Sequence, residues 1–92
     1  MNKNISICIP RVDKYFNQNR ILSILNRYKL GIIKEIKIIK NKKKNNNIIY
    51  IYFSSWYDNE YVNNIKKKIM EGKSVKIMYD EPWFWILVLN TN

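Results

Sequence analysis

Two tyrosines, Tyr50 and Tyr52, stand two residues apart in an apolar run and have the side chains best suited to a chemical role. Residues 48–53 are all β-branched or aromatic, which favours a strand. Because side chains alternate along a strand, both tyrosines share one face, while Ile49 and Ile51 lie on the other. An exposed aromatic ring can stack on a nucleobase. The run therefore predicts either a stacking platform or two rings that merely satisfy strand preference.

Several lysines are predicted near this platform. Lys37 and Lys76 are predicted to flank the tyrosines on the same open face, where their ammonium groups either contact phosphates or remain solvated. A further run lies in the polar stretch 41–47, which is predicted as a hairpin loop. These lysines either hold a single-stranded nucleic acid or are only solvated in the loop. Its members are Lys42, Lys43 and Lys44.

The length and composition of the chain indicate how many domains it forms and which class of partner it binds. The chain has 92 residues, which predicts one small domain, and its formal net charge is +10. A positive balance of this size favours a polyanion such as nucleic acid. An AT-rich coding sequence would also produce this positive net charge, because the codons for Ile, Lys and Asn are AT-rich. The chain is rich in these three residues and has no alanine. Both explanations of the charge remain open.

Catalytic chemistry finds little support in the sequence. There is no histidine, so the usual general base and the commonest metal ligand are absent. Two glycines cannot form a phosphate-binding glycine loop, and Cys8 has no second cysteine to pair with. The apolar run Trp83–Leu89 is too short to span a membrane. We therefore predict an intracellular protein that is not an enzyme and has no metal, cofactor or membrane partner.

Alternation of apolar and polar residues predicts four strands and a later extended segment. Pro10 is predicted to end the first strand, and residues 11–16 to form a connection. Pro82 is predicted to interrupt pairing after the fourth strand. The predicted strands are 5–9, 33–38, 48–53 and 74–79, followed by the extended segment 83–90.

Two helices are predicted between these strands. The first begins at a cap, Asn17 or Asn19, and the second at Asp58 or Asn59. Each helix is followed by a glycine that is predicted to supply a left-handed stop. The order βαββαβ predicts an α+β fold of the ferredoxin-like type, with a four-stranded antiparallel sheet in the order 4-1-3-2 and both helices on one face. The two predicted stops are Gly31 and Gly72.

Residues 5–79, arranged in this way, resemble an RNA recognition motif. The third-strand motif of that family ends in an aromatic residue, Val, any residue and an aromatic residue, and Tyr50, Ile51 and Phe53 match it. Cys8 and Ile48 stand where the family carries further aromatic residues. The resemblance implies a sheet face that stacks single-stranded RNA. It also implies an RRM-like domain over residues 1–79, with an aromatic extension over 80–92 packed on it.

Three segments are also similar to small uncharacterised proteins of giant DNA viruses. This resemblance implies a viral protein in the host cytoplasm, the host nucleus or the virion. The segments are residues 9–12, 53–56 and 79–85.

The leading functional prediction is single-strand nucleic-acid binding, with RNA favoured over DNA, through the tyrosine face and the basic loop. The alternative is a protein-interaction module, or a virion or DNA-packaging component, that uses three consecutive aromatic residues as anchors. The apolar segment that contains them must be buried as a fifth strand on a sheet edge, as a lid over the tyrosines, or against a second copy of the chain. The three aromatic residues are Trp83, Phe84 and Trp85.

Overall fold

The computed structural model describes residues 4–41 and 43–91, which form five strands and two helices. The α+β class, both helices and the antiparallel sheet are as predicted from the sequence. The elements are β1 (Ile7–Asp13), α1 (Gln18–Arg27), β2 (Gly31–Asn41), β3 (Asn46–Trp56), α2 (Glu60–Met70), β4 (Val75–Asp80) and β5 (Trp83–Leu89).

The strand order is β2-β3-β1-β5-β4, which corrects the predicted order 4-1-3-2. The extended segment after Pro82 does form a fifth strand, but that strand lies between β1 and β4 and not on an edge. The reason is that β5 is apolar on both faces and gains most from an interior position. The edge position falls to β4, whose exposed Lys76 and Met78 tolerate water.

The interior position of β5 also decides against a lid over the tyrosines. Val88 pairs with Cys8 of β1, and Trp85 pairs with Ile77 of β4. A segment that is hydrogen-bonded within the sheet cannot also lie across the sheet's face. The prediction that β4 ends before Pro82 is confirmed, since β4 stops at Asp80 and β5 starts at Trp83.

The core lies on one face of the sheet, beneath both helices. Ile7, Ile51 and Leu87 of the sheet are fully buried, and they form one apolar cluster with Ile21 of α1 and Val62 of α2. Strand side chains alternate between faces, so a single cluster that includes both helices places both on the same side. The opposite side of the sheet carries neither of these helices.

Two asparagines determine where the helices begin. The Asn17 side chain accepts a hydrogen bond from the backbone N–H of Arg20 at 2.8 Å. The Asn59 side chain accepts one from Val62 at 2.8 Å. Each satisfies an otherwise unpaired donor of the first helical turn. Of the alternatives that the sequence left open, these two are the caps.

Gly31 does not have the predicted role of a left-handed stop. The left-handed residue after α1 is Lys29, with φ 49°, and Gly31 is the first residue of β2. A Cβ atom on Gly31 would lie 2.3 Å from the backbone oxygen of Ser55, so glycine is required by the close approach of β3. Gly72, with φ 83°, is the left-handed stop that the sequence predicted.

We expect Gly31→Ala to lower the free energy of unfolding by about 3 kcal/mol or more, because the new methyl group can be accommodated only by a backbone shift. Gly72→Ala is the matched control. No atom lies within 4 Å of the added Cβ there, so only the left-handed backbone is strained, at about 1–2 kcal/mol. Urea denaturation of both variants measures the difference. Equal reductions in stability would contradict a role for close packing at Gly31.

A bulge in β1 directs Arg11 to the open face. The prediction that Pro10 ends this strand is wrong, since β1 continues to Asp13. The pairing with β3 shifts register between Ile9 and Val12, both of which are buried in the core. These two core positions are therefore three positions apart instead of two, and the extra residue restores the alternation. Arg11, which strict alternation would place in the core, is exposed.

Candidate functional site

The face of the sheet opposite the helices carries both tyrosines. Tyr50 pairs with Cys8 of β1 on one side and with Lys37 of β2 on the other, and Tyr52 follows two residues later on the same face. Both rings are half-buried, and neither belongs to the apolar cluster beneath the helices. The structure thus brings together the two predicted stacking residues and one of the lysines predicted to contact phosphate.

Lys37 is held against one of these rings. Its Nζ lies 5.3 Å from the ring centroid of Tyr52, which is within the range of a cation–π contact. Glu35 of β2 pairs with Tyr52 of β3, so a carboxylate lies beside the same tyrosine. A phosphate near Tyr52 would therefore be attracted towards Lys37 and repelled from Glu35.

A second lysine–aromatic pair lies on the same face, on the other side of β1. Lys76 places its Nζ 4.2 Å from the ring centroid of Phe84, which is 44% exposed. Lys76 therefore lies on the open face, as predicted, but β1 and β5 separate its strand from β3. Its aromatic neighbour is Phe84, and not either tyrosine.

An apolar strip joins the two lysine–aromatic pairs. Cys8 and Val88 pair across the β1–β5 boundary, and Ile48 and Ile86 lie on the same face by alternation. Burial raises the pKa of the Cys8 thiol, which disfavours the reactive thiolate. Among residues 4–41 and 43–91, no group of three or more His, Cys, Asp or Glu is placed to hold a metal ion.

The basic loop lies at the end of the sheet where β5 begins. Lys43 and Lys44 are exposed in the turn between β2 and β3, and Lys42 lies outside the described residues. Lys44 lines a cleft of about 380 Å³ together with Arg11 and Phe84. Lys44 is therefore closer to Phe84 than the sequence indicated.

The three aromatic residues proposed as protein anchors do not form one exposed patch. Trp85 is only 3% exposed, and its ring stacks on Tyr79 with a centroid separation of 4.8 Å, so it belongs to the core. Trp83 is 63% exposed and Phe84 lies on the open face. Trp85 must be removed from any set of surface anchors.

Arg11 is the site residue that the sequence reasoning missed, because the pattern after Pro10 predicts a connection and not a strand. A signal was present in the spacing of the apolar residues. Ile9 and Val12 are three positions apart, where a regular strand would place core residues two apart. That spacing is typical of a bulge, and a bulge exposes the residue that it inserts.

Comparisons with protein-family models, with curated proteins and with solved structures find no match to this chain. Neither α1 nor α2 has the length and apolar character that crossing a bilayer would require.

Proposed function

We propose that this chain binds single-stranded nucleic acid, RNA in particular, on the open face of its sheet and without catalysis. The observation that carries the proposal is the combination of Tyr50, Tyr52 and Lys37 on a face that neither helix covers, with the Lys37 Nζ 5.3 Å from a tyrosine ring centroid. Stacking of one base on an aromatic side chain contributes about 1–3 kcal/mol.

The spacing of the two tyrosines suits successive bases. Residues two apart on a strand are separated by about 7 Å, which is roughly twice the rise between stacked bases. Two neighbouring bases that are pulled apart from each other can therefore each occupy one ring. A duplex cannot present its bases in this way, so single strands are the expected ligand.

The proposal includes an RRM-like arrangement of the sheet. The order β2-β3-β1-β5 keeps the predicted neighbours of the tyrosine strand, and β5 occupies the position beside β1 that was predicted for the fourth strand. On this interpretation, β4 is an addition at the sheet edge, and the stacking strands β1 and β3 remain at the centre.

Fluorescence anisotropy with labelled oligonucleotides tests the function directly. An RNA and a DNA of the same sequence, each single-stranded and as a duplex, are titrated at several salt concentrations. We expect single strands to bind more tightly than duplexes, RNA more tightly than DNA, and affinity to fall as salt rises. Absence of binding by both single strands would contradict the proposal.

The basic loop is expected to bind phosphates. Replacing Lys42, Lys43 and Lys44 together by Gln should reduce the slope of log affinity against log salt by about 0.7 for each phosphate that is no longer neutralised, and so by about 2 in total. The measurement is the same anisotropy titration at four or more salt concentrations.

A second lysine triplet in the chain provides the matched control. Lys66, Lys67 and Lys68 lie on α2, on the other side of the sheet, and their replacement by Gln removes the same formal charge. We expect that variant to keep the original salt slope. Equal changes in the two triplets would indicate a general effect of net charge and would favour the explanation by codon composition.

A protein-binding surface is the second candidate function, and the exposure of Trp83 favours it. A tryptophan that is 63% exposed beside the half-exposed Phe84 is the type of residue that anchors protein interfaces. Association through these two rings would depend weakly on salt. The salt titration therefore separates this candidate from nucleic-acid binding.

A further inference from the structure

We propose that Phe84 is a third base-stacking position, in addition to Tyr50 and Tyr52, and that a bound strand crosses the sheet diagonally from Tyr50 on β3, over Arg11 on β1, to Phe84 on β5. This inference rests on the proposed function. It adds a site that the resemblance to an RNA recognition motif does not supply, because that resemblance concerns the first and third strands.

The register places Phe84 on the same face as the tyrosines. Tyr50 pairs with Cys8, and Cys8 pairs with Val88, so these three residues form one row across three strands. Phe84 lies four residues from Val88 along β5, and it therefore points to the same side. The β1–β5 pairs are Ile7–Leu89 and Cys8–Val88. Continued with sheet spacings of about 4.8 Å between strands and about 3.4 Å per residue, this register puts Phe84 about 17 Å from Tyr50.

Arg11 lies on the strand between these two rings. The bulge in β1 exposes Arg11 towards the open face, and Arg11 and Phe84 line the same cleft of about 380 Å³. A guanidinium group binds phosphate through two parallel hydrogen bonds, which suits a nucleic-acid backbone that passes between two stacking positions. Asp13 also lines the cleft, but its Oδ1 already accepts a hydrogen bond from the backbone N–H of Tyr15 at 2.9 Å.

The two ends of this path carry the same chemistry. At one end the Lys37 ammonium lies 5.3 Å from the Tyr52 ring centroid, and at the other the Lys76 ammonium lies 4.2 Å from the Phe84 ring centroid. Each end thus offers a ring face for a base beside a cation for its phosphate. With bases pulled about 7 Å apart, as on the two tyrosines, 17 Å is covered in about three steps, so about four nucleotides are needed to reach from Tyr50 to Phe84.

A length series tests the inference. Single-stranded RNAs of three to ten nucleotides are titrated against the intact chain and against Phe84→Ala. For the intact chain we expect affinity to rise in a step at about four nucleotides, when one strand first reaches both rings. Phe84→Ala should remove the step and weaken binding of the ten-nucleotide RNA about 5- to 150-fold, with little effect on the shortest RNA.

Further variants keep the test decisive if Phe84→Ala is poorly folded. Phe84→Tyr retains a ring and should keep the step, whereas Arg11→Gln should weaken only the longer RNAs and flatten their salt dependence. Tyr61→Ala is the control for removal of an exposed ring, because Tyr61 lies on α2. It should change nothing.

The outcomes separate the inference from the function on which it rests. If Tyr50→Ala weakens binding while Phe84→Ala leaves the step in place, base stacking at Phe84 is wrong and the proposed function stands. A weakening by Phe84→Ala that is equal at every length would also overturn the inference. If the intact chain binds no RNA of any length, both proposals fail.

Discussion

A chain that ends at Pro82 is expected not to fold, because it would lack a strand from the interior of the sheet. β5 pairs with β1 on one side and with β4 on the other, and it supplies the buried side chains of Trp85 and Leu87. Burying one large apolar side chain contributes about 1.5–3 kcal/mol, and a small domain is stable by only about 5–15 kcal/mol. Circular dichroism and urea denaturation of the shortened chain measure the effect.

Two single substitutions within β5 separate damage to the core from the change in chain length. Trp85→Ala should lower the free energy of unfolding by about 3–5 kcal/mol, because Trp85 is packed in the core. Trp83→Ala removes the same side chain from an exposed position and should change stability by about 0.5 kcal/mol or less. A soluble, folded monomer that ends at Pro82 would disprove the interior position of β5.

The double variant Tyr50→Ala, Tyr52→Ala is expected to weaken binding of single-stranded RNA by about 2–6 kcal/mol, from about 1–3 kcal/mol for each stacked base. Tyr50→Ala alone should account for about 1–3 kcal/mol of this. Replacing both tyrosines by phenylalanine should have little effect on binding, because the ring faces remain. Anisotropy at constant salt gives the affinities, and circular dichroism checks that each variant is folded.

The matched control removes two tyrosines away from the open face. Tyr57 follows the end of β3 and Tyr61 lies on α2, and both rings are exposed. Their replacement by alanine should leave the affinity unchanged. If the alanine pair at positions 50 and 52 also leaves it unchanged while the fold persists, bases do not stack on this face.

Features that depend on local pattern could be predicted from the sequence. The period of two in residues 48–53 puts Tyr50 and Tyr52 on one face, and the asparagines before each helix identify the possible caps. The pattern alone could not choose between Asn17 and Asn19, since either side chain can accept a hydrogen bond from the first turn.

Features that depend on distant contacts could not be predicted. Gly31 is required by the backbone of Ser55, which lies on a different strand, and no local rule identifies such a neighbour. The position of β5 depends on the pairing of Ile7 and Cys8 with Leu89 and Val88, about 80 residues away along the chain, and no local pattern identifies that pairing. Arg11 was missed because a proline usually ends a strand, whereas Pro10 lies within a bulge, where a proline is tolerated.

The pairing of β1 with β5 also has a consequence for synthesis on the ribosome. β1 is the first strand to emerge, yet its Ile7 must wait for Leu89 before that edge is filled. At about 5–20 residues per second, the delay is on the order of ten seconds. During that interval the free edge of β1 offers unpaired backbone to other nascent chains. We therefore expect this protein to depend on chaperones during translation more than its small size would suggest.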